Sequence, residues 1–371
     1  MKIEIYSPTI RRKEMDAVLT AMVEDKIGPG DRSRLLIQTA KEQLSFDYAL
    51  ALRSPAVALH LALKTFVKPG QAVILSALSP RYYLQVLQDL QLFPLYCDVS
   101  YDFPCMSRDL IENSIGKKPE GLEIGAIVLH HTLGFVPDSA SITELGIPVI
   151  EDISHSYGFW IKVKKDKEEQ SAVTEGNHSK KNDDSSGSPF PITNSLYYIL
   201  GLEERDMLTS GGGALLFAMN RKDALALRNY AGIANEYCLP DINAALAVVQ
   251  FKEIQRNIER RRDIAEIFIK AVLSLAARTR HKRFISINDN EYCNYSFSLV
   301  LETGLKEVIA YAKKKEIEIE NAFENTIAGA SLCPDCPVSS SLVLRTVNFP
   351  LYPRLKSADV ERISRLIMTL P

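Results

Sequence analysis

Lysine is absent from residues 182–221 of this chain, and histidine from residues 179–280. Any chemistry in that stretch that needs a side-chain amine or imidazole has no local source for it. Other absences narrow the class of protein. No run approaches the roughly 20 consecutive apolar residues of a membrane span. The opening "MKIEIYSPTI" lacks the apolar core of a signal peptide, so a soluble cytoplasmic protein is expected. Neither sign of charge dominates: 44 Lys and Arg stand against 46 Asp and Glu, with a pI near 6.4. Nothing in that balance marks the whole surface for nucleic acid or an anionic membrane. The six cysteines are scattered, and only "CPDC" (Cys333, Cys336) has suggestive spacing. A zinc ribbon would need a second such pair, and a redox site is expected where a strand meets a helix. Here the motif sits in a Pro/Ser-rich loop, which favours a structural role, and no metal site is expected.

What is present is a regular alternation. "YALALRS" leads into "PAVALHLALKTF", and "QAVILSAL" into "YYLQVLQDLQ"; "PLYCDV", "GAIVLHHTLG" and "IPVIEDIS" follow. The β-like runs are apolar on both faces and separated by helix-length crossovers, the pattern of a parallel sheet covered by helices. Residues 162–188 break it: they carry six lysines, six acidic residues and almost no large apolar side chain. Such a segment buries too little to offset its ordering entropy, so a flexible insertion is expected; its zero net charge argues against a nucleic-acid arm. Farther on, Ile264, Ile267, Phe268, Val272 and Leu275 fall on a helical rhythm and predict a core-facing stripe. "YCNYSFSLVLE", "LKEVIAYAKKKEIEIE" and "SADVERISRLIMTL" then predict a strand and two helices. The expected division is a large domain over 1–240 and a smaller α/β C-terminal domain over 241–371 with a long connecting helix. Within the first domain, "YYILGLEERDMLTSGGGALLF" (Tyr197 to Phe217) reads as strand, charged turn, glycine run and strand.

Six segments, in order and spacing, resemble the DegT/StrS family of sugar aminotransferases, over nearly the whole chain. They are "RSPAVALHLAL", "FPLYCDV", "HTLG" (His131 to Gly134), "VIEDISHSYG", "INAALAVVQFKEIQRNIERRRDIA" and "LRTVNFPLYPRL". The resemblance implies an α/β, fold type I aminotransferase-like architecture, with a mostly parallel sheet flanked by helices. It also implies pyridoxal phosphate as cofactor, a nucleotide sugar as ligand and a homodimer. Pyridoxal phosphate is an electron sink only while its pyridine nitrogen is protonated, which an adjacent carboxylate ensures. Asp152, at the expected C-terminal end of a strand, matches that carboxylate; a plain helix cap is the alternative. His155 matches the position facing the ring's hydroxyl side, with a structural histidine as its alternative, and Ser54 matches the phosphate side.

Four departures fall on residues expected to touch the cofactor. Superposing the glycines of the family's lysine motif on Ser210 to Gly213 places Arg205 at the lysine position. A guanidinium stays protonated and is a poor nucleophile, so it would not form the aldimine. "Ser54-Pro55-Ala56" replaces Ser-Gly-Thr, and proline removes one N–H from the phosphate cup. Pro80 stands where a stacking aromatic is expected, and Tyr82 or Tyr83 would replace it only if the loop shifts. Leu200 takes the place of a phosphate-side serine, with Ser195 nearby. The expectation is a degenerate homologue without pyridoxal-phosphate transaminase activity: a dimeric scaffold, or a protein binding a sugar nucleotide or anion. The alternatives are an active aminotransferase on a keto-sugar nucleotide, with an amine such as Lys222 brought in from beyond the next strand, and a non-catalytic partner of an active paralogue. Losing the cofactor would leave Asp152 a buried carboxylate without a cation. Arg205 is then expected either to fill the vacated pocket and compensate it, or to point into solvent.

Overall fold

The computed structural model describes residues 2–158, 195–228, 234–275, 279–285, 293–302 and 304–371. The expected insertion at 162–188 lies outside these. The chain opens with α1 (Arg12–Val23) and α2 (Asp31–Leu44) and then alternates. In order come β1 (Tyr48–Leu52), α3 (Pro55–Lys64), β2 (Ala72–Ser76), α4 (Tyr82–Asp89), β3 (Phe93–Cys97), α5 (Arg108–Gly116), β4 (Ile124–His130), α6 (Ser139–Thr143) and β5 (Val149–Asp152). A hairpin of β6 (Tyr197–Gly201) and β7 (Ala214–Ala218) leads to α7 (Arg221–Arg228) and the 35-residue α8 (Asp241–Leu275). The remainder is β8 (Phe297–Val300), α9 (Leu305–Lys314), β9 (Glu320–Asn321), α10 (Pro337–Val343), β10 (Thr346–Phe349) and α11 (Ser357–Met368).

Seven strands form one sheet in the order β1-β7-β6-β5-β4-β2-β3. Its pairs are parallel from β3 through β6, and β7 is the single reversed strand among them. Both faces are covered, which is why the strands read as continuous apolar runs rather than alternating ones. In β6, Tyr197 and Ile199 face the α3 and α4 side, while Tyr198 and Leu200 face α2 and the first half of α8. A separate three-stranded antiparallel sheet, β8-β10-β9, packs with α9, α11 and the second half of α8. One helix therefore belongs to both cores, and the expected boundary at 240/241 falls at its start. Ile3 also joins the C-terminal core, through backbone bonds to Glu316 and Glu318.

On α8, Ile264, Phe268, Val272 and Leu275 are buried as the periodicity predicts. Ile267 is not: it is 42% exposed, and Ala265 and Ala271 complete the stripe instead. At 100° per residue Ile267 lies at the edge of the arc centred on Ile264, Phe268, Ala271 and Leu275, where the small sheet no longer covers it.

The glycine run is explained by its backbone. Gly211, Gly212 and Gly213 take φ of 73°, 138° and 128°, a region closed to most L-residues. A Cβ on Gly213 would also collide with Leu239.

At the start of α8, Asp241 does work for another helix. Its carboxylate accepts from the N–H groups of Gly30, Arg32 and Ser33 and from the Ser33 hydroxyl, at 2.8–3.0 Å, and so caps α2 from 208 residues away. Asp241→Ala should cost about 1–3 kcal/mol in urea unfolding, the loss of a buried charged cap with several donors left unmet.

Candidate functional site

The C-terminal ends of the parallel strands bring the loops after β1, β2, β4, β5 and β6 to one edge of the sheet, where open α/β sheets place ligands. Asp152 ends β5 there and is 2% exposed. Both its oxygens are taken. Tyr83 donates its phenol to Oδ2 at 2.6 Å, and Ser154 donates its hydroxyl (2.5 Å) and N–H (3.1 Å) to Oδ1. Ser154 Oγ in turn accepts the Gly201 N–H at 2.7 Å, tying β5 to the end of β6. Burial pushes the Asp152 carboxyl up, but the His130 imidazole and the hydrogen bonds from Ser154 and Tyr83 outweigh it and hold the group below its ordinary value.

Tyr83 reaches Asp152 from the helix that follows the loop. It lies in the first turn of α4, and the loop before it is pinned by a distant segment: Ile327 N–H donates to Ser79 O and Ala328 N–H to Ala77 O, at 3.0 and 2.8 Å. Tyr82 packs edge-on against it, ring centroids 5.0 Å apart. Tyr83 is in turn edge-on to His130, the last residue of β4.

His155 stacks flat on Tyr295 at 3.8 Å and meets His130 edge-to-face at 5.0 Å. Its Nδ1 is buried with no hydrogen-bond partner. Its Nε2 stands 3.9 Å from Asp206 Oδ1. Burial lowers the pKa of His155 to about 3 and of His130 to about 4, so both are neutral imidazoles near pH 7. Asp206 is pushed up to about 8, first by burial and then by the charges of Asp152 and Glu203, against the single N–H that it accepts from Glu203. The edge of the sheet therefore holds one ionised carboxylate, one protonated one, two neutral imidazoles and an aromatic wall.

Arg205 does not compensate Asp152. Its guanidinium makes two bonds to Glu320 on β9, at 2.9 and 3.1 Å, and lies over the Tyr6 ring, with its side chain 52% exposed. The hairpin turn directs residue 205 toward the C-terminal sheet and residue 206 inward, so an acid, not the arginine, reaches the buried cluster. The compensation expected of a cation is supplied by neutral donors, which satisfy the carboxylate without burying a second charge. Asp206 was hidden in the charged string "EERD", where nothing in composition separates an acid whose side chain is only 10% exposed from three exposed neighbours.

Ser54 caps α3, its Oγ accepting the Val57 N–H at 3.3 Å. With Pro55 lacking an N–H and Val57 engaged, the first turn keeps only the Ala56 amide for an anion. Ser195 is committed elsewhere, donating to Glu151 Oε1 at 2.5 Å. Glu151 also accepts from Ser139 at 2.8 Å and pairs with His131 Nε2 at 2.9 Å, all fully or almost fully buried. Among the described residues, no group of three or more His, Cys, Asp or Glu is placed to hold a metal ion. No described helix is long and apolar enough to cross a membrane.

The fold has many relatives of known structure. An aminotransferase, TlmJ, from Streptoalloteichus hindustanus superposes with a TM-score of 0.79 at 17% identity, covering 99% of this chain and 98% of that one. A DegT DnrJ EryC1 StrS aminotransferase from Brucella abortus gives 0.78 at 19% identity, over 96% and 94% of the two chains. The Spr1654 protein of Streptococcus pneumoniae, provisionally assigned as a sugar aminotransferase and solved in its PLP-form, gives 0.79 at 17%, over 100% and 98%. At these identities the likeness establishes the fold type I architecture. The sequence match goes further: residues 8–168 and 216–368 fit the description of one family, and the interval between them contains β6 and the turn with Arg205 and Asp206. With the segments on both sides of that interval matched in order, and the strand-end site in place, this chain belongs to the DegT/DnrJ/EryC1/StrS aminotransferase family.

Proposed function

We propose that this chain is a degenerate homologue of nucleotide-sugar aminotransferases. In this reading it no longer carries out pyridoxal-phosphate transamination and persists as a homodimeric scaffold or sugar-nucleotide-binding protein. The observation that carries the reading is the condition of Asp152. The carboxylate that should face a protonated pyridine nitrogen is buried and already accepts three hydrogen bonds, one from the Tyr83 phenol and two from Ser154. A pyridinium would have to share Oδ2 with the Tyr83 phenol, which holds it at 2.6 Å.

The other demands of the cofactor are met no better. Residues 182–221 supply no amine for an aldimine, and Arg205 is paired with Glu320. The first turn of α3 offers a phosphate one amide where the family has a cup. The residues present do not fit pyridoxal phosphate, so no catalytic step is assigned through it.

The test is direct. Purified protein should be colourless, and borohydride reduction in the presence of pyridoxal phosphate, followed by peptide mapping, should give no pyridoxyl-lysine. A reducible adduct, or amino transfer from glutamate to a keto-sugar nucleotide, would instead establish an active aminotransferase. Co-purification with a lysine-containing relative would favour a non-catalytic partner over a self-paired dimer.

A further inference from the structure

Two buried nucleophiles stand outside the strand-end site. Cys333 and Cys336 bracket Pro334 and Asp335 in a tight turn, closed by the Cys336 N–H donating to the Cys333 carbonyl at 3.3 Å. A four-residue turn keeps its outer Cα atoms within about 7 Å, and a disulfide spans about 4.4–6.8 Å between Cα atoms. The bridge can therefore close with little backbone movement. The two thiols influence each other: the Cys336 side chain draws the Cys333 thiol below its ordinary value, and the Cys333 side chain together with burial raises that of Cys336.

The turn lies at the surface with its sulfurs on the inner side. Leu332, Pro334 and Asp335 are exposed, whereas Cys333 and Cys336 are 2% and 1% exposed. It is held from both directions. Behind it, Asp98 accepts from the N–H groups of Val338 and Ser339 at 2.9 and 2.8 Å. Ahead of it, the bonds from Ile327 and Ala328 fasten the chain to the loop before α4. Such anchoring keeps the two thiols together in the reduced state, so little ordering entropy remains to be lost on closure. Burial raises the remaining nearby thiol, Cys97, to about 12, which makes it a poor competitor.

We infer that Cys333 and Cys336 form a redox-active dithiol that closes reversibly to an intrachain disulfide by exchange with a low-molecular-weight disulfide of the glutathione class. The Cys333 thiolate attacks one sulfur of the small disulfide, forming a mixed disulfide and expelling one small thiolate. That thiolate takes the Cys336 proton. Cys336 then attacks the Cys333 sulfur of the mixed disulfide and expels the second small thiolate, which picks up the proton that Cys333 gave to solvent. Two protein thiols are oxidised to one S–S bond, and one small disulfide is reduced to two thiols.

The experiment uses the full chain, equilibrated with glutathione disulfide and glutathione in varied ratio, trapped by alkylation and mapped without reduction. Titratable thiols should fall from six to four, with one crosslinked peptide joining 333 to 336, and glutathione should reverse the change. Cys97→Ser should leave the crosslink intact, and Cys336→Ser should stall as a glutathione adduct on Cys333. Retention of all six thiols by the wild-type protein under oxidising ratios overturns the inference. So does closure through Cys97, or a wild-type product that stops at the mixed disulfide. Because the wild-type chain carries the decisive measurement, a variant that fails to fold does not spoil the test.

Discussion

Asp206→Asn should abolish a fall in stability of about 2 kcal/mol that the wild-type protein shows between about pH 6.5 and pH 8. The acid's side chain is 10% exposed at the edge of the sheet. From its own turn it faces the Glu203 N–H and the Glu203 charge, from β5 and its loop Asp152 and His155, from α4 Tyr82, and from the strand and N-terminal segments beside it Tyr295 and Tyr6. It holds its proton to about pH 8 in the folded protein, whereas an unfolded aspartate loses it near pH 3.9. The folded state therefore binds more protons across that window, and stability drops as pH rises through it, by about 1.4 kcal/mol per unit.

His155 and His130 act with the opposite sign. Their folded pKa values, about 3 and about 4, lie below the ordinary 6.5, so unfolding takes up protons and stability rises with pH up to about 6.5. Two histidines outweigh one aspartate below that point; Asp206 carries the fall from there to about pH 8, above which the buried thiols Cys97, Cys105 and Cys293, each raised to about 12, add to it. Wild-type stability should then peak near pH 6.5, and urea unfolding across pH 4–9 would reveal both limbs. A variant that keeps the fall between about pH 6.5 and pH 8 would show that Asp206 is not its source.

His131→Leu should lower the unfolding free energy by about 1–3 kcal/mol, the cost of leaving a buried carboxylate without its imidazole hydrogen-bond partner. His131 is fully buried between Glu151 and Ser156, with bonds of 2.9 and 2.6 Å. Glu151 is buried with it. Burial raises its carboxyl, but the bond and charge of His131 and the hydroxyls of Ser195 and Ser139 more than reverse this. Without the imidazole, two serine hydroxyls must support a buried carboxylate alone. The pair His131→Leu with Glu151→Leu should recover part of the loss, because removing both partners leaves no unmatched charge. A single-variant cost below about 1 kcal/mol would mean that water replaces the imidazole and that this is not a dry structural core. The family-like "HTLG" and "VIEDISHSYG" segments are joined through this network, so its first role is to hold β4, β5 and the start of β6 in register.

The positions at the sheet edge were legible in the sequence; their contacts were not. "VIED" ends a buried strand, and its acid falls at the strand's carboxyl end because apolar runs of that length between helices make parallel strands. Ser54 before Pro55 is a helix start by local chemistry alone. Tyr83 could be weighed only as a contingent substitute, because its reach to Asp152 depends on where residues 325–328 pin the loop before it. For Arg205 the sequence left two directions open, pocket or solvent, because alignment gives a position in the chain but not the direction in which a turn points a side chain; it lies at the surface, paired with Glu320.

The sequence by itself determined the strand order from β1 to β7, the two-sided burial of the sheet, the long α8 and the absence of an amine between residues 182 and 221; after α8 it predicted one strand and two helices where there are three of each. These follow from periodicity, composition and local backbone chemistry, which act over a few residues. The tertiary structure alone decided that Asp152 is satisfied by a phenol 69 residues away, that Arg205 turns to a glutamate 115 residues away, and that Asp241 caps a helix more than 200 residues before it. Those contacts are set by packing between distant segments, and a buried polar group takes whichever partner the packing delivers within hydrogen-bond reach.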